Sequence, residues 1–179
     1  TLQLKLPAEV FNRIIFCVIQ SGTALQNGEN IGKYSSTKLK EMIKTVNKYI
    51  MLTKEHNGDY MDIDIMLDRF NTGLTSLNIA PEIGVFETKI IMNKFDNEQN
   101  DKFYEICLNS NKWVKWVGSD FIPNENKKQL VEICGHYQFS NEEFLKLKNN
   151  ISNLDTEIKS KINNYLLEIF NKLPNNSLL

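Results

Sequence analysis

The longest stretch of regular apolar spacing in the chain lies near its C-terminal end, over residues 154–170. Apolar residues recur there every three or four positions, which is the period of an α-helix that buries one face. Asn153 or Asp155 can accept the free N–H groups at the start of this helix, and Pro174 ends it. A helix with so broad an apolar stripe needs other helices to cover it, so the stretch favours a helical bundle.

Shorter stretches with the same spacing precede it. The other predicted helices run over 7–21, from Ser35 or Ser36 to 58, from Asp59 to 73–78, from Pro81 onward, over 97–108, over 127–137 and from Ser140 onward, where Ser140 and Glu143 form a capping box. The local pattern leaves 89–95 open between helix and strand, and 112–117 open between a helical turn and a short strand. We therefore expect a mainly α-helical, single-domain bundle of about six to eight helices with at most a minor β element.

The first predicted helix follows an opening of alternating leucines. Leu2, Leu4 and Leu6 alternate with polar residues, as in a short strand or an extended arm. Pro7 then falls at the first helical position, where its fixed φ and its missing N–H cost nothing. Gly22 is a natural stop, and residues 23–34 have no sustained period, so we expect a loop there.

The length of 179 residues suits one domain that folds without disulfides or metals. We expect one domain over 1–179, with a helical pair over 1–58, a helical part over 97–173 and a soft tail over 174–179. The three cysteines are an odd number without a Cys-x-x-Cys pair, which indicates a reducing compartment. The longest apolar run is too short to span a membrane, so we expect a cytoplasmic protein, essentially whole if a removed Met preceded Thr1.

The N-terminal quarter, over 1–49, resembles a group of small, poorly characterised proteins from tailed bacteriophages. The resemblance rests on the opening Leu-x-Leu-x-Leu-Pro-x-x-Val-x-x-x-Ile-Ile and on the later Leu39-x-x-Met42-Ile43-x-x-Val46. In those proteins such an opening precedes two short helices, although the gap over 22–34 is longer here than is usual. The resemblance implies a phage protein that binds a host or phage protein in the host cytoplasm, and it supplies no active site.

The charged residues argue against some classes of binding partner but do not identify one. The net charge is −1, and only Arg13 and Arg69 among the 21 basic residues are arginines. Because the guanidinium group is the usual reader of bases and phosphates, its scarcity argues against sequence-specific nucleic-acid recognition. The charge is uneven, since residues 1–58 carry 8 basic and 4 acidic groups and residues 59–105 carry 4 and 10. Two surfaces of opposite sign would follow from this distribution.

Two motifs are candidate binding surfaces. Lys112, Trp113, Lys115 and Trp116 alternate cations with indoles, which suits a protein-interaction site or a single-strand nucleic-acid surface, whereas the more ordinary interpretation is that both indoles anchor the core. Lys40, Lys44 and Lys48 fall at i, i+4 and i+8 of the second predicted helix. That stripe could face phosphates, but a solvated helix surface is the commoner explanation.

Catalytic and metal sites are not predicted. Four aspartates lie at 59, 62, 64 and 68, where compensation of a helix dipole explains them better than a cation does. Cys134 and His136 with Cys17, Cys107 or His56 lack the local pairing of zinc sites. We expect no catalytic residue, no metal and no cofactor.

The function expected from the sequence is that of a non-enzymatic protein-protein interaction module, in which a phage protein binds and modulates a host or phage factor. The first alternative is a helical accessory subunit of a nucleic-acid machine that uses the lysine stripe. The second is a small hydrolase that uses an Asp or Cys with His56 or His136. Self-association is a further expectation, because nearly every predicted helix carries a broad apolar stripe.

Overall fold

The computed structural model describes residues 2–149 and 151–173, and all structural statements refer to these residues. The chain is 57% helical with two small sheets, which confirms a mainly α fold with minor β. The helices are α1 Ala8–Phe11, α2 Ser36–Asn47, α3 Ile63–Thr72, α4 Pro81–Lys94, α5 Asn97–Ser110, α6 Lys127–Cys134, α7 Glu142–Lys148 and α8 Leu154–Lys172. The strands are β1 Phe16–Ile19, β2 Leu25–Gln26, β3 Glu29–Asn30, β4 Leu52–Glu55 and β5 Ser76–Leu77. Short 3-10 turns cover Leu2–Leu4, Val114–Trp116 and Gly135–Gln138.

The described chain divides into two compact units. The first, which we call the N-terminal unit, consists mainly of residues 2–24 and 30–79. The second, the helical unit, consists mainly of residues 25–29 and 80–171. None of the helices in the described ranges combines the length and the apolar character that crossing a membrane requires.

The N-terminal unit is built on a parallel three-stranded sheet with the order β1-β4-β5. The chain leaves β1, forms α2, returns as β4, forms α3 and returns again as β5, which is a repeated β-α-β connection. Ile19 of β1 packs with Leu39 and Val46 of α2 and with Leu74 in a small hydrophobic core. The helices thereby cover one face of the sheet.

The helical unit contains α4 to α8 around a larger core. Its centre is aromatic, because the ring of Phe103 lies 4.8 Å from that of Phe144 and 5.9 Å from that of Phe95, centroid to centroid. Cys107, Leu130 and other buried residues complete this core. The predicted last helix is confirmed as α8, and the tail predicted over 174–179 lies outside the described residues.

The predicted helix over 7–21 is wrong. The structure has one helical turn, α1, followed by strand β1, and Leu2 and Leu4 lie in a 3-10 turn rather than in a strand. The physical reason is pairing at a distance: Phe16 to Ile19 align with Leu52 to Glu55 of β4, and this partner is invisible to local periodicity. Residues 1–58 therefore hold two helices, as a helical pair would, but also four strands.

Other helix and loop boundaries also differ from those predicted. The second helix starts at its Ser35 cap as predicted, but it ends at Asn47 and β4 follows. The third begins at Ile63 rather than at Asp59. The predicted loop over 23–34 contains the short strands β2 and β3, joined at Asn27 and Gly28, which both have positive φ as a tight hairpin turn requires.

The structure decides between helix and strand for residues 89–95 and 112–117, and it identifies the residue that caps α7. Pro81 opens α4, which continues to Lys94, so the strand alternative over 89–95 is excluded. Residues 112–117 contain a 3-10 turn. Asn141, not Ser140, caps α7, because its Oδ1 accepts the N–H groups of Glu143 and Phe144.

Candidate ligand site at the carboxyl ends of the parallel strands

Polar residues from all three parallel strands of the N-terminal unit meet where the strands end. Ser21 follows β1, Glu55 ends β4 and Asn78 follows β5. The Ser21 N–H donates to Glu55 Oε1 over 2.5 Å, and the Asn78 N–H donates to the backbone carbonyl of Glu55 over 3.0 Å. In parallel α/β sheets ligands bind outside the carboxyl ends of the strands, so the geometry makes this edge the first candidate site.

A buried ion pair holds the edge together. Arg69 of α3 places Nη1 2.5 Å from Glu55 Oε2, and the two residues are 1% and 0% exposed. Arg69 also donates to Ser21 Oγ over 2.6 Å and to the Gly22 carbonyl over 3.0 Å. The ring of Tyr34 lies 4.2 Å from the guanidinium carbon. The arginine thus connects α3 with the loop that follows β1 and with the last residue of β4, and the Glu55 carboxylate is engaged inside the protein.

The loop after β4 is held in one conformation. Asn57 and Tyr60 have positive φ, and a Cβ on Gly58 would lie 2.5 Å from Leu77 Cγ, so only glycine fits there. The Thr23 hydroxyl donates to the His56 carbonyl over 2.8 Å. The side-chain amide of Asn30 donates to the carbonyls of Asn57 and Asp59 over 2.9 and 3.0 Å.

This loop presents the side chain of His56 at the surface of the edge. Asn78 Nδ2 lies 3.0 Å from His56 Nδ1, and because an amide nitrogen can only donate, Nδ1 accepts and the proton of the neutral ring sits on Nε2. His56 is exposed. Gln20, which follows β1, and Asn57, which follows His56, are exposed as well. The edge therefore offers an oriented imidazole and amide groups, which suit hydrogen bonds to ligand hydroxyls.

The predicted tryptophan and lysine motif lies in the helical unit. The Trp113 indole donates to the Leu108 carbonyl over 3.2 Å, and its ring lies 5.8 Å from that of Phe121. Both Trp113 and Trp116 are half-buried and pack against the helical core. Lys112 and Lys115 are exposed, and only Lys115 is placed over ring faces, those of Trp116 and Tyr137.

The other sequence candidates are scattered. Lys40 and Lys44 lie exposed on α2, and Lys48 follows its end. Asp62 caps α3, since its Oδ1 accepts the Asp64 N–H over 2.8 Å, whereas Asp59 is buried before the helix begins. Within the described residues no group of three His, Cys, Asp or Glu side chains is arranged to hold a metal ion.

Of the cysteine and histidine candidates in the helical unit, Cys107 and Cys134 are buried and His136 is half-buried. Contact with the Cys134 thiol and burial raise the pKa of Cys107, so the Cys107 thiol lacks the thiolate character of a nucleophile. Burial, together with the Lys115 charge, lowers the pKa of His136 to about 4. Both changes keep the groups neutral near pH 7.

The residues that build the strand-end site were not predicted as a group. Ser21, Glu55, Arg69 and Asn78 come together only once β1, β4 and β5 are paired, and the sequence pattern assigned β1 and β4 to helices. One sequence feature did point to Arg69: it is one of two arginines among 21 basic residues, and it falls on the apolar side of α3, three residues after the buried Met66. Arginine is the preferred cation for a buried ion pair.

The N-terminal unit thus belongs to the parallel α/β class, with a polar site at the carboxyl ends of its strands, and helices follow it in the chain. No protein-family model matches the chain, and no curated protein matches it. Among solved structures it is similar to the crystal structure of a probable tagatose 6-phosphate kinase from Sinorhizobium meliloti 1021, with 16% identity and a TM-score of 0.57. The match covers 86% of this chain and 46% of that structure, so the chain spans about half its length. At this identity the likeness concerns the fold alone.

Proposed function

We propose that the chain binds a small, hydroxyl-rich ligand of the sugar or sugar-phosphate class at the carboxyl ends of β1, β4 and β5. The observation that carries this proposal is the convergence of three strand ends on one edge, where a buried ion pair fixes the loops and His56 faces outward. A fixed polar edge of this kind binds ligands without first having to order its own side chains.

The choice of ligand class rests on two supports. The exposed groups are an imidazole and amides, which both donate hydrogen bonds to hydroxyl groups and accept them. The solved structure of similar fold is named for tagatose 6-phosphate, a phosphorylated sugar. That name describes the other protein, and we use it to choose the first ligand to test.

The test is calorimetric titration of the chain with D-tagatose and D-tagatose 6-phosphate. Replacing His56→Ala or Asn78→Ala should weaken binding about tenfold each, because each removes one hydrogen-bonding group worth roughly 1.4 kcal/mol in a desolvated site. Asn47→Ala, which removes an exposed amide from α2, is the matched control and should leave binding unchanged. Binding that all three variants retain equally, or no binding of either sugar, would refute the proposal.

A second candidate function is protein binding, as expected from the sequence, and one observation favours it. Phe16, Val18 and Leu52 share the face of the sheet opposite Ile19 and are 39%, 58% and 44% exposed. Parallel sheets are normally covered on both faces. The outer edge of β1 also has no strand partner within the described residues. We call Phe16, Val18 and Leu52 the apolar sheet face.

The partner experiment is affinity capture from a bacterial lysate, with and without nuclease. A protein captured after nuclease by the natural chain but not by the Val18→Thr/Leu52→Thr variant supports the interaction module. Loss of all partners on nuclease treatment, or on replacing Lys40, Lys44 and Lys48 by Gln, supports the nucleic-acid alternative instead. The phage origin, the host-modulating role and the cytoplasmic location expected from the sequence belong to this second proposal.

The hydrolase alternative is the least supported. Arg69 engages the Glu55 carboxylate, and Cys107 and Cys134 are buried. None of these three side chains is therefore available as a nucleophile beside an exposed histidine. Binding rather than catalysis is therefore the activity we propose for the described residues.

A further inference from the structure

Four side chains of the helical unit form a continuous cluster that the proposed function does not use. Lys115 Nζ lies 4.8 Å from the centre of the Trp116 ring and 4.6 Å from the centre of the Tyr137 ring. The Tyr137 ring in turn lies 4.0 Å from the ring of His136, centroid to centroid. Two 3-10 turns, Val114–Trp116 and Gly135–Gln138, bring these residues together. We call these four residues the Lys115 cluster.

The cluster is held by backbone contacts rather than by flexible side chains. The Asn27 N–H in the β2–β3 turn donates to the Trp116 carbonyl over 3.1 Å. On the other side, α4 approaches His136 so closely that a Cβ on Gly84 would lie 2.7 Å from His136 Cβ. These contacts fix the backbone positions from which the indole and the imidazole project.

Both rings carry a buried nitrogen that has no hydrogen-bond partner within the described residues, Trp116 Nε1 and His136 Nδ1. Leaving such an atom unpaired costs about 1–3 kcal/mol, and native structures seldom do so without a reason. The Lys115 ammonium likewise forms no ion pair with a carboxylate in the described part of the chain. The cluster thus combines two buried nitrogens that have no hydrogen-bond partner with one exposed ammonium that forms no ion pair, all within the described residues.

The chemistry of these groups determines which partner fits. An ammonium and an indole N–H can only donate, and a neutral imidazole can donate from one of its nitrogens. A ligand that complements them must be rich in acceptor oxygens and negatively charged. We propose that Lys115, Trp116 and His136 form a binding site for a phosphate group, with the ammonium supplying the charge and the indole N–H one directed hydrogen bond.

A bound phosphate would be recognised either as the free ion or as part of a phosphate ester, and the test distinguishes the two. The chain contains only two histidines, so NMR can follow the imidazole of His136 with His56 of the N-terminal unit as an internal reference. The probes are inorganic phosphate, sulfate and D-glucose 6-phosphate, each compared with sodium chloride at equal ionic strength.

We expect saturating phosphate or sulfate to shift the His136 resonances and to raise the pKa of His136 from about 4 by about one unit, because a nearby anion stabilises the imidazolium. Lys115→Met should weaken phosphate binding about tenfold, since it removes the charge. Lys112→Met is the matched control, because Lys112 is an exposed lysine of the same segment without ring contacts, and it should bind as the natural chain does.

Trp116→Phe provides a second variant that keeps a ring over the core and removes only the indole N–H, so it should weaken binding without unfolding the chain. Tighter binding of glucose 6-phosphate than of inorganic phosphate would assign the site to a phosphate ester, and equal binding would assign it to the free ion. The proposal is overturned if His136 responds to phosphate no more than to chloride, or if Lys112→Met and Lys115→Met reduce binding equally. Because His56 reports on the strand-end site, failure of one site is visible separately from failure of the other.

Discussion

Arg69 is the buried cation on which the strand-end site depends. Its guanidinium contacts the Glu55 carboxylate, the Ser21 hydroxyl and the Gly22 carbonyl at the same time. Removing one partner of a buried ion pair leaves the other charge without compensation. We expect Arg69→Met to lower the free energy of unfolding by about 3–5 kcal/mol in urea denaturation, and the double variant Arg69→Met/Glu55→Met to lose less.

The control for this prediction is Lys102→Met, which breaks an ion pair with Glu98 at the protein surface and should have no measurable effect. If Arg69→Met were as stable as the natural chain, the pair would not organise the strand ends. The strand-end site would then lack the fixed arrangement in which His56 and Asn78 are proposed to bind a ligand.

His136 makes stability depend on pH. Burial and the Lys115 charge lower its pKa from 6.5 in the unfolded chain to about 4 in the folded one, so between these values the unfolded chain binds more protons. The stability that His136 contributes is therefore complete above about pH 6.5 and is lost as the pH falls toward 4. This loss of stability should disappear in His136→Gln when urea midpoints are compared at pH 7.5 and 4.5. An equal pH slope in both chains would contradict this assignment.

At the scale of elements, local chemistry sets the start of several helices. Asp62 caps α3 through its side-chain oxygen, so Asp62→Ala should cost about 1 kcal/mol of stability, measured by thermal or urea unfolding. Asp62→Asn keeps an oxygen acceptor and should cost much less, which separates the cap from the charge. A similar loss in both variants would mean that the charge, through the helix dipole, is what α3 needs.

The difference between local and long-range interactions explains which elements could be predicted from the sequence. Pro81, the Ser35 cap and the long period of α8 act on neighbouring residues, and the helices they define were predicted correctly in type. The segment Phe16–Ile19 has helical spacing too, but its partner Leu52–Glu55 lies more than thirty residues along the chain. The candidate site depends on that pairing, because Ser21 and Glu55 are adjacent only in the folded sheet, and local patterns therefore could not assemble it.

At the scale of the whole molecule, the described residues cover only one face of the sheet of the N-terminal unit. The α2 and α3 side is packed, while Phe16, Val18 and Leu52 remain open on the other side. Isolated exposed apolar residues are ordinary, but adjacent ones on paired strands form a patch that water solvates poorly. Such a patch is a binding surface for apolar groups whatever its natural partner.

We expect the folded chain to bind the fluorescent apolar dye ANS at this apolar sheet face. The variant Val18→Thr/Leu52→Thr keeps residues that suit strands but adds hydroxyl groups, so it should lose a large part of the dye fluorescence while its unfolding transition changes little. Val114→Thr makes the same kind of change at an exposed valine of the helical unit and should have no effect. If both variants lost fluorescence equally, or neither did, the dye would not be bound at the sheet, and the protein-binding candidate would lose the observation that favours it.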